Sequence, residues 1–358
     1  MKKIRKIAII LLFILGIFLI GTGILYGYYS SPVGGSSDNI EVIVEDGSTS
    51  SQIGKILKEK DLIKNEFFYK IYLKINGINT LKAGTYSLNK EMSLGEIIDI
   101  ISKGNNFNEE EISLTFQEGI NMRKIASIIA NGTNNTEEDV FNLLKDKEYL
   151  QSLINDYWFI TDEILNDKLY YSLEGYLFPD TYRFNNKDVS VKEIFNKLLK
   201  KMDSVLTKNK EKIEKSKYNV HEILTLASIA EKEVGSNLEY RKNVISVFIN
   251  RLNSKMSLGS DVTTRYSLKI DDGKRVLKKS EYNSVNDYNT RSSSLAGKLP
   301  VGPISTVSEM SIDAFLECPD TDYLYFIANI KSGETFFYHK SSDFEKKKKE
   351  LSSVNNGL

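Results

Sequence analysis

Nineteen consecutive residues without a charge, Ile7–Leu25, follow four basic ones, Lys2, Lys3, Arg5 and Lys6. As a helix rising about 1.5 Å per residue, the run covers roughly 28 Å, close to the hydrocarbon thickness of a bilayer. A cleaved signal peptide is the competing reading. It has a shorter apolar region and a small-x-small cleavage site, and "ILYGYYSSP" offers neither clearly. Lipoprotein processing needs a nearby cysteine, and the single one is Cys318. The basic cluster stays cytoplasmic by the positive-inside rule, and Tyr26, Tyr28 and Tyr29 suit the far interface. The expectation is a cytoplasmic tail at 1–6, a membrane span at 7–28, a linker at 29–39 and the bulk of the chain outside the cytoplasm.

The whole chain balances 48 basic against 48 acidic residues. Residues 1–28 hold four basic groups and no acidic ones, so the exterior part carries 44 against 48, a net of −4. That balance argues against a nucleic-acid partner. One cysteine excludes an internal disulfide framework. His221 and His339 are too few and too far apart for a convincing zinc site, so neither a metal nor a cofactor is expected. At 41% hydrophobic, 358 residues can bury a sizeable core.

"SSPVGGSSDN" (30–39) reads as a flexible linker. After it, "IEVIVEDGSTSSQIGKIL" (40–57) gives an alternating strand, a Gly turn, a Ser/Thr cap and an amphipathic helix. The same grammar returns 72 residues later in "ISLTFQEGINMRKIASII" (112–129), where Asp46 falls on Glu118 and Gly47 on Gly119. A structural duplication is the expectation. Between the two lie a helix at 65–76, a strand at 81–88 and a helix capped at Ser93. Strand–helix–helix–strand is the layout of LysM-like glycan-binding modules, expected at 40–104; a plain spacer has the same pattern. Residues 105–170 read as a second strand–helix unit or connector. Beyond them come a charged amphipathic helix within 185–217, an apolar helix from His221, and the strand pair "DYLYFIANI" and "ETFFYH". The fold class is α+β, with the chemistry in a mixed domain at 171–345.

"LASIAEKEV" (226–234) sets Glu231 and Glu233 in that apolar helix. They lie about 200° apart around its axis and cannot converge on one ligand. Glu231 shares a stripe with Leu224, Ala227 and Val234. A carboxylate there is solvated, paired with a local Lys or Arg, or kept for chemistry, and periodicity alone leaves the choice open. "YYSLEGYLFPDTYRF" (170–184) spaces aromatics as a sugar platform or as plain core would. The polar loops "LGSDVTTRYSL" (258–268), "DYNTR" (287–291) and "KLPVGPI" (298–304) suit hydrogen bonding to a polyhydroxylated substrate, or ordinary turns.

In order, "LKAGTYSL", "EGYLFPDTY", "LASIAEKEV", "VFINRL", "SDVTTRY", "YNT", "LPVGPI" and "YLYFIA" resemble the YceG-like family, the membrane-anchored endolytic murein transglycosylases. The resemblance covers nearly the whole chain. It implies that Glu231, the first glutamate of the Glu-Lys-Glu motif, is catalytic. It also implies cleavage of nascent peptidoglycan strands to 1,6-anhydro-N-acetylmuramic acid ends, beside a penicillin-binding glycan synthase as partner. Candidate substrate contacts are Glu174, Tyr176, Asn250, Asp261, Thr263, Tyr266, Tyr288, Asn289 and Thr290. The chain departs from the family at Val262 and Val301 (usually Pro), at Thr306-Val307-Ser308 (usually Asn-Pro-Gly), and at Glu334 and Phe344 (often His).

The chemistry suits one carboxylate. A lytic transglycosylase attacks the anomeric carbon with the C6 hydroxyl of the same sugar, so the nucleophile is tethered and no water needs a base. One Glu can protonate the leaving oxygen and then take the hydroxyl's proton. The apolar stripe around Glu231 is expected to disfavour its charged form. A hydrolase would need a second acid, for which Glu174 and Asp261 are the first candidates. Two other readings remain. One is a non-catalytic glycan-binding scaffold. The other is an acyl transferase of the penicillin-binding kind, built on "SLNK" (87–90), "SVN" (284–286) and "KSG" (331–333). The second is disfavoured because Ser87 ends a strand-like segment and the next helix is capped only at Ser93.

Overall fold

The computed structural model describes residues 13, 16, 21–35, 38–104, 111–271 and 275–355. The chain forms two compact units, Met1–Glu111 and Ile112–Leu358. Residues 21–30 are helical. Among the described residues no helix is long and apolar enough to cross a membrane. The expected span lies mostly outside them.

In the first unit, β1 (Ile40–Val44) pairs antiparallel with β2 (Gly84–Leu88), Ile40 opposite Leu88. Between them run α1 (Ser50–Glu59) and α2 (Glu66–Ile75), and α3 (Leu94–Lys103) follows. Strand alternation sends Val42 and Val44 inward, where they meet Ile53, Leu57, Tyr69, Leu73 and Ile97. The helices start where local chemistry dictates. Thr49 with Gln52 and Ser93 with Glu96 form capping boxes, and Asn65 caps α2. The strand–helix–helix–strand order is as read from the sequence. Ser87 lies in β2 opposite Glu41, and Lys90 pairs with Asp61. The Ser–Lys geometry of an acyl transferase is therefore not formed.

The second unit begins with β3 (Ile112–Thr115), which pairs antiparallel with β4 (Thr181–Phe184). Leu114 and Phe116 share a core with Tyr182 and Phe184. Of residues 105–170, expected as a second strand–helix unit or connector, those from Ile112 onward lie in the same compact unit as the residues that follow. Helices α4 (Met122–Gly132), α5 (Glu137–Leu143) and α6 (Lys147–Asp156) precede β4. After it come α7 (Val191–Thr207), α8 (Lys210–Glu214), α9 (Val220–Glu233), α10 (Leu238–Asn253), α11 (Asp261–Ser267), α12 (Lys279–Tyr282) and α13 (Glu309–Leu316). A hairpin of β5 (Tyr325–Ala328) and β6 (Thr335–Tyr338) and a last helix, α14 (Ser341–Asn355), complete the unit.

The centre of this unit is α9. Asn219 and Glu222 form its capping box, and every residue from Ile223 to Glu231 is buried. A helix apolar nearly all round is stable only when enclosed. Here α10 and α13 pack against it. Each fully buried Leu or Ile contributes about 1.5–3 kcal/mol, so Ile223, Leu224, Leu226 and Ile229 fix this helix firmly.

Candidate active site

The last turn of α9 carries Glu231, whose side chain is 3% exposed. Its Oε1 lies 2.7 Å from Arg241 Nη2, on the first turn of α10. Its Oε2 accepts from the Ser308 backbone N–H at 3.0 Å and from the Ser308 hydroxyl at 2.5 Å. Ser308 is the N-cap of α13, so the positive end of that helix also faces the carboxylate. Arg241 is itself fixed, donating to Ser308 Oγ at 2.8 Å, Ser311 Oγ at 2.9 Å and the Gly235 carbonyl at 3.2 Å.

The apolar stripe expected to disfavour the charged form of Glu231 is only part of its surroundings. Leu224 and Ala227 are buried on its stripe, but the carboxylate itself meets an arginine and two donors from Ser308. The paired state weighed from the sequence is the one observed. Such a pair is costly to bury unless every donor and acceptor is used, and here the network is closed.

A turn from the start of the unit lies against this cluster. A methyl group built on Gly119 would stand 3.6 Å from Glu231 Cγ and 3.4 Å from Lys232 Cδ. Lys232 Nζ donates to the Gly119 carbonyl at 3.0 Å. Thr306 holds the same turn, with its N–H on the Ile120 carbonyl at 2.7 Å and its hydroxyl on the Gln117 carbonyl at 3.0 Å. This brings Glu118, which is exposed, into the field of the pair. Partial desolvation against the cluster and then the charge of Glu231 push its carboxyl up, while Arg241 opposes them. Glu118 is not among the residues the sequence singles out; its signal there is the repeated acid–Gly turn, which reads as a structural duplication.

Glu233 answers to other neighbours, as the 200° separation requires. It accepts from Ser260 Oγ at 2.5 Å, and burial pushes its carboxyl up with Asp261 adding to the rise. Asp261 is ion-paired with Arg291. Thr263 bonds Thr290 through the hydroxyls at 2.8 Å, and Asn289 accepts from Thr264. Thr263, Tyr288, Asn289 and Thr290 have no exposure. Their polar groups are hydrogen-bonded within the fold, where they support the loops.

The same holds for Tyr176. It has no exposure and donates to His221 Nδ1 at 2.9 Å, while His221 Nε2–H donates to the Val301 carbonyl at 2.9 Å. Asn250 staples the chain after α13 by donating to the Thr321 and Tyr323 carbonyls. Glu174 is 1% exposed and accepts from the Met122 N–H at 3.0 Å and the Tyr266 hydroxyl at 2.9 Å. Its other oxygen has no hydrogen-bond partner, and burial pushes the carboxyl up to about 7. Tyr266 also lines a pocket of about 30 Å³ with Gly119, Lys232, Val262 and Arg265, beside the cluster. A larger cavity, about 750 Å³ between Phe141, Leu150, Tyr170 and Tyr171, has neither Glu231 nor Glu118 in its wall.

Among the departures, Ser308 and Thr306 thus touch the cluster directly. Val262 lines the small pocket. Phe344 stacks on Tyr325, and the Glu334 N–H donates to Ser332.

Comparison with known proteins places this geometry. The profile of the YceG-like family matches residues 42–350. An endolytic murein transglycosylase of Bacillus subtilis is 35% identical over 341 residues, covering 94% of this chain and 92% of the relative. An endolytic murein transglycosylase of Streptococcus pneumoniae is 27% identical over 358 residues, and the match spans 64% of that protein's length. The 2.6 Å crystal structure of a putative yceG-like protein from Listeria monocytogenes superposes with a TM-score of 0.61 at 33% identity. It covers 87% of this chain and 99% of the other.

Proposed function

The chain belongs to the YceG-like family, and from that premise we propose that it is an endolytic peptidoglycan lytic transglycosylase with Glu231 as its catalytic carboxylate. The observation that carries this reading is the closed cluster of Glu231, Arg241 and Ser308 at the meeting of two helix N-termini and the Glu118–Gly119 turn. A general acid is effective when the charge it acquires is already provided for. In the proposed cycle Glu231 starts protonated and gives its proton to the leaving glycosidic oxygen, and the carboxylate so formed is the state that Arg241 and Ser308 hold in the structure. The C6 hydroxyl of the muramic sugar then attacks the anomeric carbon and returns its proton to Glu231. Atoms balance without water. One bond from C1 is exchanged for another, and the acid is regenerated.

The test is Glu231→Gln. Gln is isosteric and keeps one acceptor oxygen, for Arg241 or for Ser308, but cannot shuttle the proton. Loss of general acid–base catalysis costs about 10²–10⁴-fold. The expected result is a folded protein that binds glycan and releases no fragments above that level. Retention of more than about a tenth of the activity contradicts the reading, since it lies well outside that range.

The finer parts of the proposal have separate supports. Ile7–Leu25 is the single-pass membrane anchor, with the N-terminus cytoplasmic, which confines cleavage to nascent strands near the membrane and beside a glycan synthase. The first unit is a LysM-like glycan-binding module. Its support is a cleft of about 500 Å³ between the strand–helix turn at Ser48, Thr49 and Ser50 and the connection Ile78–Leu81. Clefts of that size with a few polar groups are ordinary ligand sites. A second reading of the chemistry, hydrolysis by two carboxylates, is favoured by Glu118 beside Glu231. Glu174 and Asp261 do not serve it, being held by Tyr266 and Arg291.

A further inference from the structure

The helix α2 presents three faces. Tyr69 and Leu73 point into the core of the first unit. Phe68 and Tyr72, four residues apart, meet the helical residues 21–30. Phe68 stacks on Tyr29 with ring centroids 4.1 Å apart, and Tyr72 stacks on Tyr26 at 6.1 Å. The third face carries Phe67, Ile71 and Ile75 at four-residue spacing. Phe67 is 69% exposed and Ile75 65%, and Ile71 between them is half-buried.

This apolar stripe stands beside another. On residues 21–30, Ile24, Leu25 and Tyr28 are exposed. These residues are the end of the uncharged run Ile7–Leu25 and the start of the tyrosine cluster that follows it. Cations border the combined face. Lys64 sits over the Tyr28 ring at 4.3 Å and donates to the Tyr28 carbonyl. Lys70 and Lys74, both exposed, flank the α2 stripe and also line the cleft of the module. An exposed apolar stripe with rings at one edge and lysines at the other has the amphipathic pattern of a helix lying in a headgroup layer. The lysine stems can lie along the apolar surface while their ammonium groups reach lipid phosphates.

We propose that the Phe67–Ile71–Ile75 face of α2 is seated in the headgroup layer of the bilayer, next to the emerging anchor. The proposal rests on the anchor reading of Ile7–Leu25, and continuity with that segment is what identifies lipid as the occupant. Tyr26 and Tyr29, stacked on Tyr72 and Phe68, hold α2 at the level where the anchor leaves the hydrocarbon. The tether is then no free linker. The first unit is held at a fixed height, with its glycan cleft bordered by the same lysines that face the lipid.

The experiment uses the full chain carrying Phe67→Trp, reconstituted in vesicles of phosphatidylcholine and phosphatidylglycerol, with Trp158 as constant background. Val276→Trp, at a site 82% exposed in the second unit, serves as the water-facing reference. Expected is a blue-shifted emission from the indole at 67, quenched several-fold more by lipids brominated near the headgroup than the indole at 276. Ile75→Trp should behave as Phe67→Trp does. If both indoles on α2 emit as in water and escape quenching while the protein floats with the vesicles, the seating is wrong and the anchor stands. If the protein does not float with the vesicles, the anchor reading and this inference fall together.

Discussion

Two stretches of this chain run through the same local sequence of events. In each, a strand leads into an acid followed by glycine, and a capped amphipathic helix begins. Gly47 has φ of +80° and Gly119 +70°, the left-handed region that glycine enters at no steric cost. Thr49 caps α1 and Asn121 caps α4, and both strands pair antiparallel with a later one. Their surroundings differ. Around Gly47 no atom comes within 4 Å of a built Cβ, whereas Gly119 lies against Glu231 and Lys232. Asp46 is solvated, and Glu118 sits in the field of a buried ion pair. A turn becomes part of a site through what packs on it. The order of acid, glycine and polar cap is the same in both places.

Matched substitutions at the two turns can break or sharpen this comparison. The largest stability effect belongs to the carboxyl that holds the second helix in place. Glu174 accepts from Met122 N–H at the start of α4, and the first helix has no equivalent buried acid. Its carboxyl is raised from 4.5 to about 7, chiefly by burial. A folded-state value above the unfolded one means stability that is fully present below pH 4.5 and falls as pH rises through about 7. The loss amounts to about 3 kcal/mol at about 1.4 kcal/mol per unit. Urea midpoints at pH 5 and 7.5 should show this fall in the wild type and a flattened profile in Glu174→Gln.

Next comes the acid of each turn. Glu118→Gln should lower glycan cleavage about tenfold or more, which corresponds to at least about 1.4 kcal/mol of transition-state stabilisation. Asp46→Asn should leave the rate unchanged. Equal effects at both positions would show that Glu118 acts on the turn and not on Glu231. The smallest effect on cleavage is expected at the glycines. Gly47→Ala and Gly119→Ala should each cost roughly 1–2 kcal/mol of stability for a side chain in the left-handed region. Only Gly119→Ala should also slow cleavage, by displacing Glu231 or Lys232. Thermal melts and initial rates on the same samples separate the two contributions.

What was legible in the sequence follows the range of the interaction that decides it. The helix starts at Thr49 and Ser93 were readable because a capping box closes within three residues. Glu231 was readable as a paired or working carboxylate, and its motif pointed to the second. Its partners were not. Arg241 lies on the next helix, and Ser308 is 77 residues away, in a segment where the family usually has Asn-Pro-Gly. Their approach depends on how α10 and α13 pack on α9, which no local pattern encodes. Thr263, Asn289 and Thr290 were read as ligand contacts because they are polar and sit near turns. A hydroxyl or amide is equally content with a buried partner, and composition does not say which way it points. For the same reason the sequence does not show that Glu174 is buried and accepts from the start of α4.

The central claim is that Glu231 drives an intramolecular cleavage by the substrate's own C6 hydroxyl. Digestion of glycan in ¹⁸O-water, followed by mass spectrometry of the new termini, tests it most directly. The account predicts 1,6-anhydro-N-acetylmuramic acid at every new end, no incorporated ¹⁸O, and a spread of long fragments early in the digest. Labelled reducing ends would contradict it and make the enzyme a muramidase, with Glu118 as the second acid.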